Sequence, residues 1–164
     1  MGGTRTVALA IDDLAVRPTD VLAVIDGPAW RAADDARTAN AMPAAVGLLR
    51  RVVVALAALG EERDRPDAVH TALHMGSQGA ALRARAYGLV LEVPAGESTA
   101  ERTALRGQLG VLTVRAAHAL ITARSGSALR ADSPEERWAR EAAFHLVQAQ
   151  TAAVRSAQLA AFTH

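Results

Sequence analysis

The 164-residue chain has no cysteine and no lysine, and aromatic residues make up only 3% of it. Without cysteine there are no disulfides, no thiolate metal sites and no cysteine nucleophile. The shortage of aromatics leaves Ala, Val and Leu to build the core, and such small aliphatic side chains favour closely packed helices. All 18 basic residues are arginine. Together with the heavy use of alanine, this reads as coding bias in a GC-rich bacterial genome rather than selection for phosphate binding. Against 17 acids the formal charge is +1, so the chain as a whole carries no field for nucleic acid or a membrane surface. The longest apolar run, Val52 to Leu59, is far short of the ~20 residues that a membrane span needs. Met1 to Thr6 lacks the apolar region of a signal peptide. One soluble cytoplasmic domain, long enough to bury a core, is the expectation.

What is present is mostly helical. Thr6-Val7-Ala8-Leu9-Ala10-Ile11 and Val21-Leu22-Ala23-Val24-Ile25 are β-branched-rich and read as short strands or extended segments. Asp26-Gly27-Pro28 is a break, followed by a short helix to Thr38. Pro43 opens a helix with Val46, Leu49, Val53, Leu56 and Leu59 at helical spacing up to Gly60, extending to about Arg63. Asp67 is read as the cap of a third helix, to about Leu91 and ended by Pro94 and Gly96. Ser98 is read as the cap of the next, to about Arg124, with Leu105, Leu109, Leu112, Ala116 and Leu120 on one stripe. After Ser125-Gly126-Ser127 the last helix runs from Ser133 to about Phe162, with a kink expected near Thr151. The predicted fold is all-α, an antiparallel four-helix bundle over residues 28–164 behind an extended segment at 1–27.

The start of that last helix carries the most information. Ser133 is a good N-cap, Pro134 suits the first helical position, and Glu136 stands three residues after the cap. The pattern Pro134, Glu136-Arg137, Arg140-Glu141-Ala142 also resembles the acyl-CoA dehydrogenase family, whose last helical region has a proline, an acid and arginine, then Arg-acid-Ala. Reading backwards, Ile11-Asp12-Asp13-Leu14-Ala15-Val16-Arg17-Pro18 with Val21-Leu22 is similar to that family's last β-strand and exit turn. The resemblance implies that this chain matches the family's carboxy-terminal bundle and the tail of its β-domain. The amino-terminal domain and nearly all of the β-domain would then have to come from a partner chain.

The resemblance also implies where FAD would be held. Members that bind FAD place an arginine near the end of the first bundle helix, in an Arg-x-x-Phe-Gly segment. Glu62-Arg63-Asp64-Arg65-Pro66 supplies Arg63 and Arg65 but neither the phenylalanine nor the glycine. A later Gln-x-x-Gly-Gly segment lets backbone approach the flavin pyrophosphate, because glycine has no clashing Cβ. Its counterpart here is Ile121 to Ser127, with Arg124, Ser125 and Gly126 as the residues implied and no glutamine. The family's catalytic glutamate precedes a Gly-Thr pair, whereas Leu146-Val147-Gln148-Ala149-Gln150-Thr151 has no acid to act as a base. Glu61 or Glu62 would be the substitute base, although acids at a helix end are usually just solvated.

Other chemistry has less behind it. His70 and His74 stand four apart, but no third ligand is suggested by spacing, so no metal is expected. No Glu-x-x-His occurs for a di-iron bundle. Glu141 and His145, one turn apart, are either an acid-base pair or an ordinary i,i+4 contact. Arg83 with Arg85 and Arg137 with Arg140 would suit a phosphate or CoA, or else pair with neighbouring acids. Gly76-Ser77-Gln78-Gly79 marks a close helix crossing, and Trp30 and Trp138 read as core or interface anchors.

Three functions follow as expectations. The first is a subunit or split piece of an FAD-dependent oxidoreductase acting on acyl thioesters, in which a partner chain supplies the missing domains. The second is a repurposed non-redox small enzyme or ligand-binding bundle, for example in a biosynthetic pathway. The third is a structural dimerisation module. A homo-oligomer is expected under all three.

Overall fold

The computed structural model describes residues 9–163. They form six α-helices: α1 (Gly27–Thr38), α2 (Pro43–Glu62), α3 (Pro66–Glu92), α4 (Thr99–Arg124), α5 (Pro134–Val147) and α6 (Ala152–Ala161). The fold is all-α, as expected. Five helices, α2 to α6, pack together, and α1 lies at the edge against α4 and α6.

Proline sets most of the helix starts. Its fixed φ suits the first turn, where its missing N–H has no helical partner to lose. Proline opens α2, α3 and α5, and stands in the first turn of α1, where the Asp26 carboxylate accepts from the Ala29 N–H at 3.1 Å. At α5, Ser133 Oγ accepts from the Glu136 N–H at 3.1 Å, the capping bond that the sequence predicts. Two expected caps differ. Asp67 lies inside the first turn of α3, behind Arg65 at the cap position. Ser98 precedes α4 in a left-handed conformation and its side chain makes no capping bond.

No strand forms among the described residues. Val21 to Ile25 and the described part of the first run, Leu9 to Ile11, are irregular, and Thr6 to Ala8 lie outside the described residues. β-branched composition makes a strand only where a neighbouring strand supplies a ladder, and this part of the chain has none beside it. Only a 3-10 turn, Pro18–Asp20, interrupts it.

The centre of the molecule is α4. Half of its 26 residues are buried, on more than the one stripe predicted, including Gly107, Gly110, Thr113 and Ala117. Such all-round burial marks a helix enclosed by its neighbours. Glycine makes the enclosure close: a Cβ at Gly107 would stand 2.8 Å from the carbonyl carbon of Ala157 in α6. On the other side α3 presses on α2, where a Cβ at Gly79 would meet Leu49 Cδ2 at 2.7 Å. Leu56, Leu109, Leu120 and Val52 fill the core without aromatic help. Trp138 packs against it, whereas Trp30 is about half exposed at 49% and belongs to no core.

The expected kink near Thr151 in the helix from Ser133 to Phe162 is a full break into two helices. α5 stops at Val147, Ala149 takes φ 46°, and Thr151 caps α6 through a 3.3 Å bond from the Val154 N–H. No proline or glycine causes the break. Instead Arg106 on α4 donates to the carbonyls of Gln148 at 2.8 Å and Ala149 at 3.1 Å, taking them out of helical pairing.

The stretch Gly27–Glu62 contains a window long and apolar enough to cross a membrane by length and composition, a test that the core helix of a soluble protein also passes. It includes α2, which carries Arg50 and Arg51 near its middle and packs against α3 and α4.

Candidate functional site at the open end of the bundle

The residues implied as cofactor-binding converge at one end of the bundle. The short turn from α2 to α3 is tight because Arg65 N–H donates to the Gly60 carbonyl at 2.8 Å. A Cβ at Gly60 would come within 2.7 Å of Val69 Cγ2, so only glycine fits there. The turn places Arg65 against the end of α4, where its guanidinium donates to the Ala123 carbonyl. Arg65 thus divides two open clefts. One of about 400 Å³ is lined by Glu61, Asp64, Arg65 and His70. The other, of about 470 Å³, is lined by Arg65, Asp67, Thr71, Thr122 and Ala123.

Just beyond Ala123, Arg124 pairs with buried Glu135 at 3.3 Å. Ser125 then takes φ 66° and ψ −159°, a region open essentially to glycine alone and costly for any residue with a Cβ. A 3-10 turn, Ser125–Leu129, follows, braced by the Ser133 hydroxyl donating to the Ala128 carbonyl at 2.6 Å. Gly126 is open, with no atom within 4 Å of where its Cβ would stand.

Arg63, Glu61 and Glu62 are exposed on the same turn. The two acids face no enclosed space in which a carboxylate would be shielded from water, so neither has the setting of a tuned base. FAD does not fit these residues within one chain: Arg65 and Arg124 are already bonded inside the bundle, and the clefts are open troughs. At most this end forms one wall of a site.

The remaining candidates separate. His145 Nδ1 lies 3.3 Å from Gln148 Oε1 and Glu141 pairs with Arg137 at 3.7 Å, so Glu141 and His145 are not joined as an acid-base pair. Arg140 pairs with Glu136 at 2.9 Å and Arg85 with Glu101 at 2.6 Å. His70 and His74 are exposed, and no group of three metal-ligating side chains exists among the described residues.

Sequence reasoning missed the two most heavily bonded side chains. Arg102 is buried and donates to the carbonyls of Leu89 at 2.7 Å, Glu97 at 2.8 Å and Val93 at 2.9 Å, and to Asn40 Oδ1 at 2.8 Å. Arg106, one turn on, reaches the Thr38 carbonyl besides those of Gln148 and Ala149. Neither has a carboxylate partner among the described residues, and desolvation lowers the Arg106 pKa from its usual value. The available signal was their i,i+4 spacing beside the buried stripe of α4.

No family model, curated protein or solved structure matches this chain.

Proposed function

We propose that the chain is the helical subunit of an acyl-CoA dehydrogenase-like assembly, contributing one wall of a site that another chain completes. Its bundle corresponds to the carboxy-terminal domain of that family, with α5 and α6 together standing for the last helix. The observation that carries this reading is Ser125. It lies in the stretch that stands for the family's Gln-x-x-Gly-Gly segment, beside the one glycine kept there, and its backbone takes a conformation that glycine alone adopts without strain. Ala149, in the segment where the family has its Glu-Gly-Thr, also takes a positive φ of 46°. Both suit a backbone kept after its glycines were replaced. The contact of Arg65 with the Ala123 carbonyl, next to this stretch, supports this end as the wall, and any flavin is shared with the completing chain.

The test is affinity purification of the tagged full chain from its source cells, with the flavin content of the isolated complex measured. The expected complex contains FAD and a second polypeptide carrying a β-domain, and Arg63→Glu lowers its flavin occupancy while leaving helicity intact. A complex without flavin, or flavin occupancy indifferent to Arg63→Glu, overturns the proposal.

A further inference from the structure

Two uncovered features of this chain complement one another. The first is a groove of about 380 Å³ between α2 and α3, walled by Val46, Val53 and Val54 and floored by Gly76. Its rim is Arg50 and Arg83, and no acid lines it. None of the ion pairs among the described residues uses either arginine. Arg83 is held over the Tyr87 ring at 5.8 Å, which keeps its charge at the groove edge.

The second feature is the segment Leu9–Ile25. Its aliphatic side chains are uncovered, with Leu9 82%, Ile11 73% and Leu14 66% exposed. Apolar surface of that extent in one stretch marks a contact not yet made. The segment is acidic where the groove is basic. Asp20 is held by Arg17 at 2.9 Å, which leaves Asp12 and Asp13 unpaired among the described residues, set between Ile11 and Leu14.

We propose that the groove between α2 and α3 receives the Ile11-Asp12-Asp13-Leu14 portion of the same segment from a second copy of this chain. Ile11 and Leu14 lie on the valine walls, and Asp12 and Asp13 meet Arg50 and Arg83. The occupant is a second copy because α1, which carries the segment, packs chiefly against α4 and α6 rather than on the α2–α3 face. Reciprocal exchange covers both grooves and both segments in a closed twofold dimer. The interface is independent of any flavin.

Because the chain has no cysteine, single introduced thiols report the contact directly. Full-length Leu14→Cys and Val54→Cys chains, mixed and oxidised, are expected to give the mixed disulfide dimer in preference to either like pair. Sedimentation of the cysteine-free chain is expected to show a dimer. Reversing Asp12 and Asp13 to arginine makes it roughly tenfold weaker or more, and adding Arg50→Glu and Arg83→Glu restores it. No preference for the mixed disulfide overturns the proposal. So does internal closure of a chain carrying both thiols, since the segment would then fill its own groove. A dimer indifferent to both charge reversals also overturns it.

Discussion

Near the start of α4, Arg102 and Arg106 are buried and direct their bonds to main-chain carbonyls, Asn40 and Met42. At the other end Arg65 and Arg124 are only half-buried, each with one partner, beside open clefts. The same residue type closes one end and leaves the other open. A buried guanidinium with five donors in a fixed fork gathers carbonyls from several turns at once, so it organises chain that has no helix of its own. Arg106 ties the end of α1 to the break between α5 and α6, and Arg102 ties the end of α3 to the loop before α4. The open end has no such clasp, and its backbone carries the strained Ser125.

Breaking the closed end has the largest expected effect. Arg106→Leu takes a charged donor from three part-buried carbonyls, those of Thr38, Gln148 and Ala149, and each such bond contributes ~1–1.5 kcal/mol. The loss expected in denaturant unfolding is about 3 kcal/mol or more, even after relief of the guanidinium's desolvation. Arg65→Leu at the open end frees a single part-buried carbonyl, that of Ala123, and is expected to cost about 1 kcal/mol. Equal losses for the two would remove the distinction.

The glycine contacts sharpen the same contrast. Gly107→Ala places a Cβ against the α6 backbone, where nothing flexible yields, and is expected to cost ~1–3 kcal/mol in thermal or chemical unfolding. Gly88→Ala in α3 meets no atom within 4 Å and is expected to stabilise by about 0.5–1 kcal/mol through helix propensity. At the open end Ser125→Gly is expected to stabilise by about 1 kcal/mol, because it releases backbone strain. An unchanged midpoint for Ser125→Gly would remove the main support for a retained glycine-type turn. The smallest effect belongs to exposed Arg140 on α5, paired with half-buried Glu136: Arg140→Ala is expected to shift stability by less than about 0.5 kcal/mol.

Much of the helical framework was legible in the sequence because its signals are local. Pro28, Pro43, Pro66 and Pro134 mark four starts, and the Ser133 cap forms as the spacing implies. The failures are places where distant residues decide. A kink was expected near Thr151, but its deepening into a full break depends on Arg106, some forty positions earlier. An arginine pair at i,i+4 reads as a solvated face until the carbonyls around it are known. The amino-terminal runs read as strands because composition reports β-preference but not whether a neighbouring strand exists. Of the candidate site, the contact of Arg65 with the Ala123 carbonyl joins residues 58 positions apart and was not legible in the sequence. The exposure of Glu61 and Glu62 is the usual solvation of acids at a helix end, as their position implies.

The most direct test is a native mass spectrum of the full chain, purified without added cofactor and again after incubation with FAD. The account predicts a dimer of bare chains in both samples, with flavin held only once a different chain completes the wall. A chain that carries one FAD per copy by itself would contradict it, as would a strict monomer.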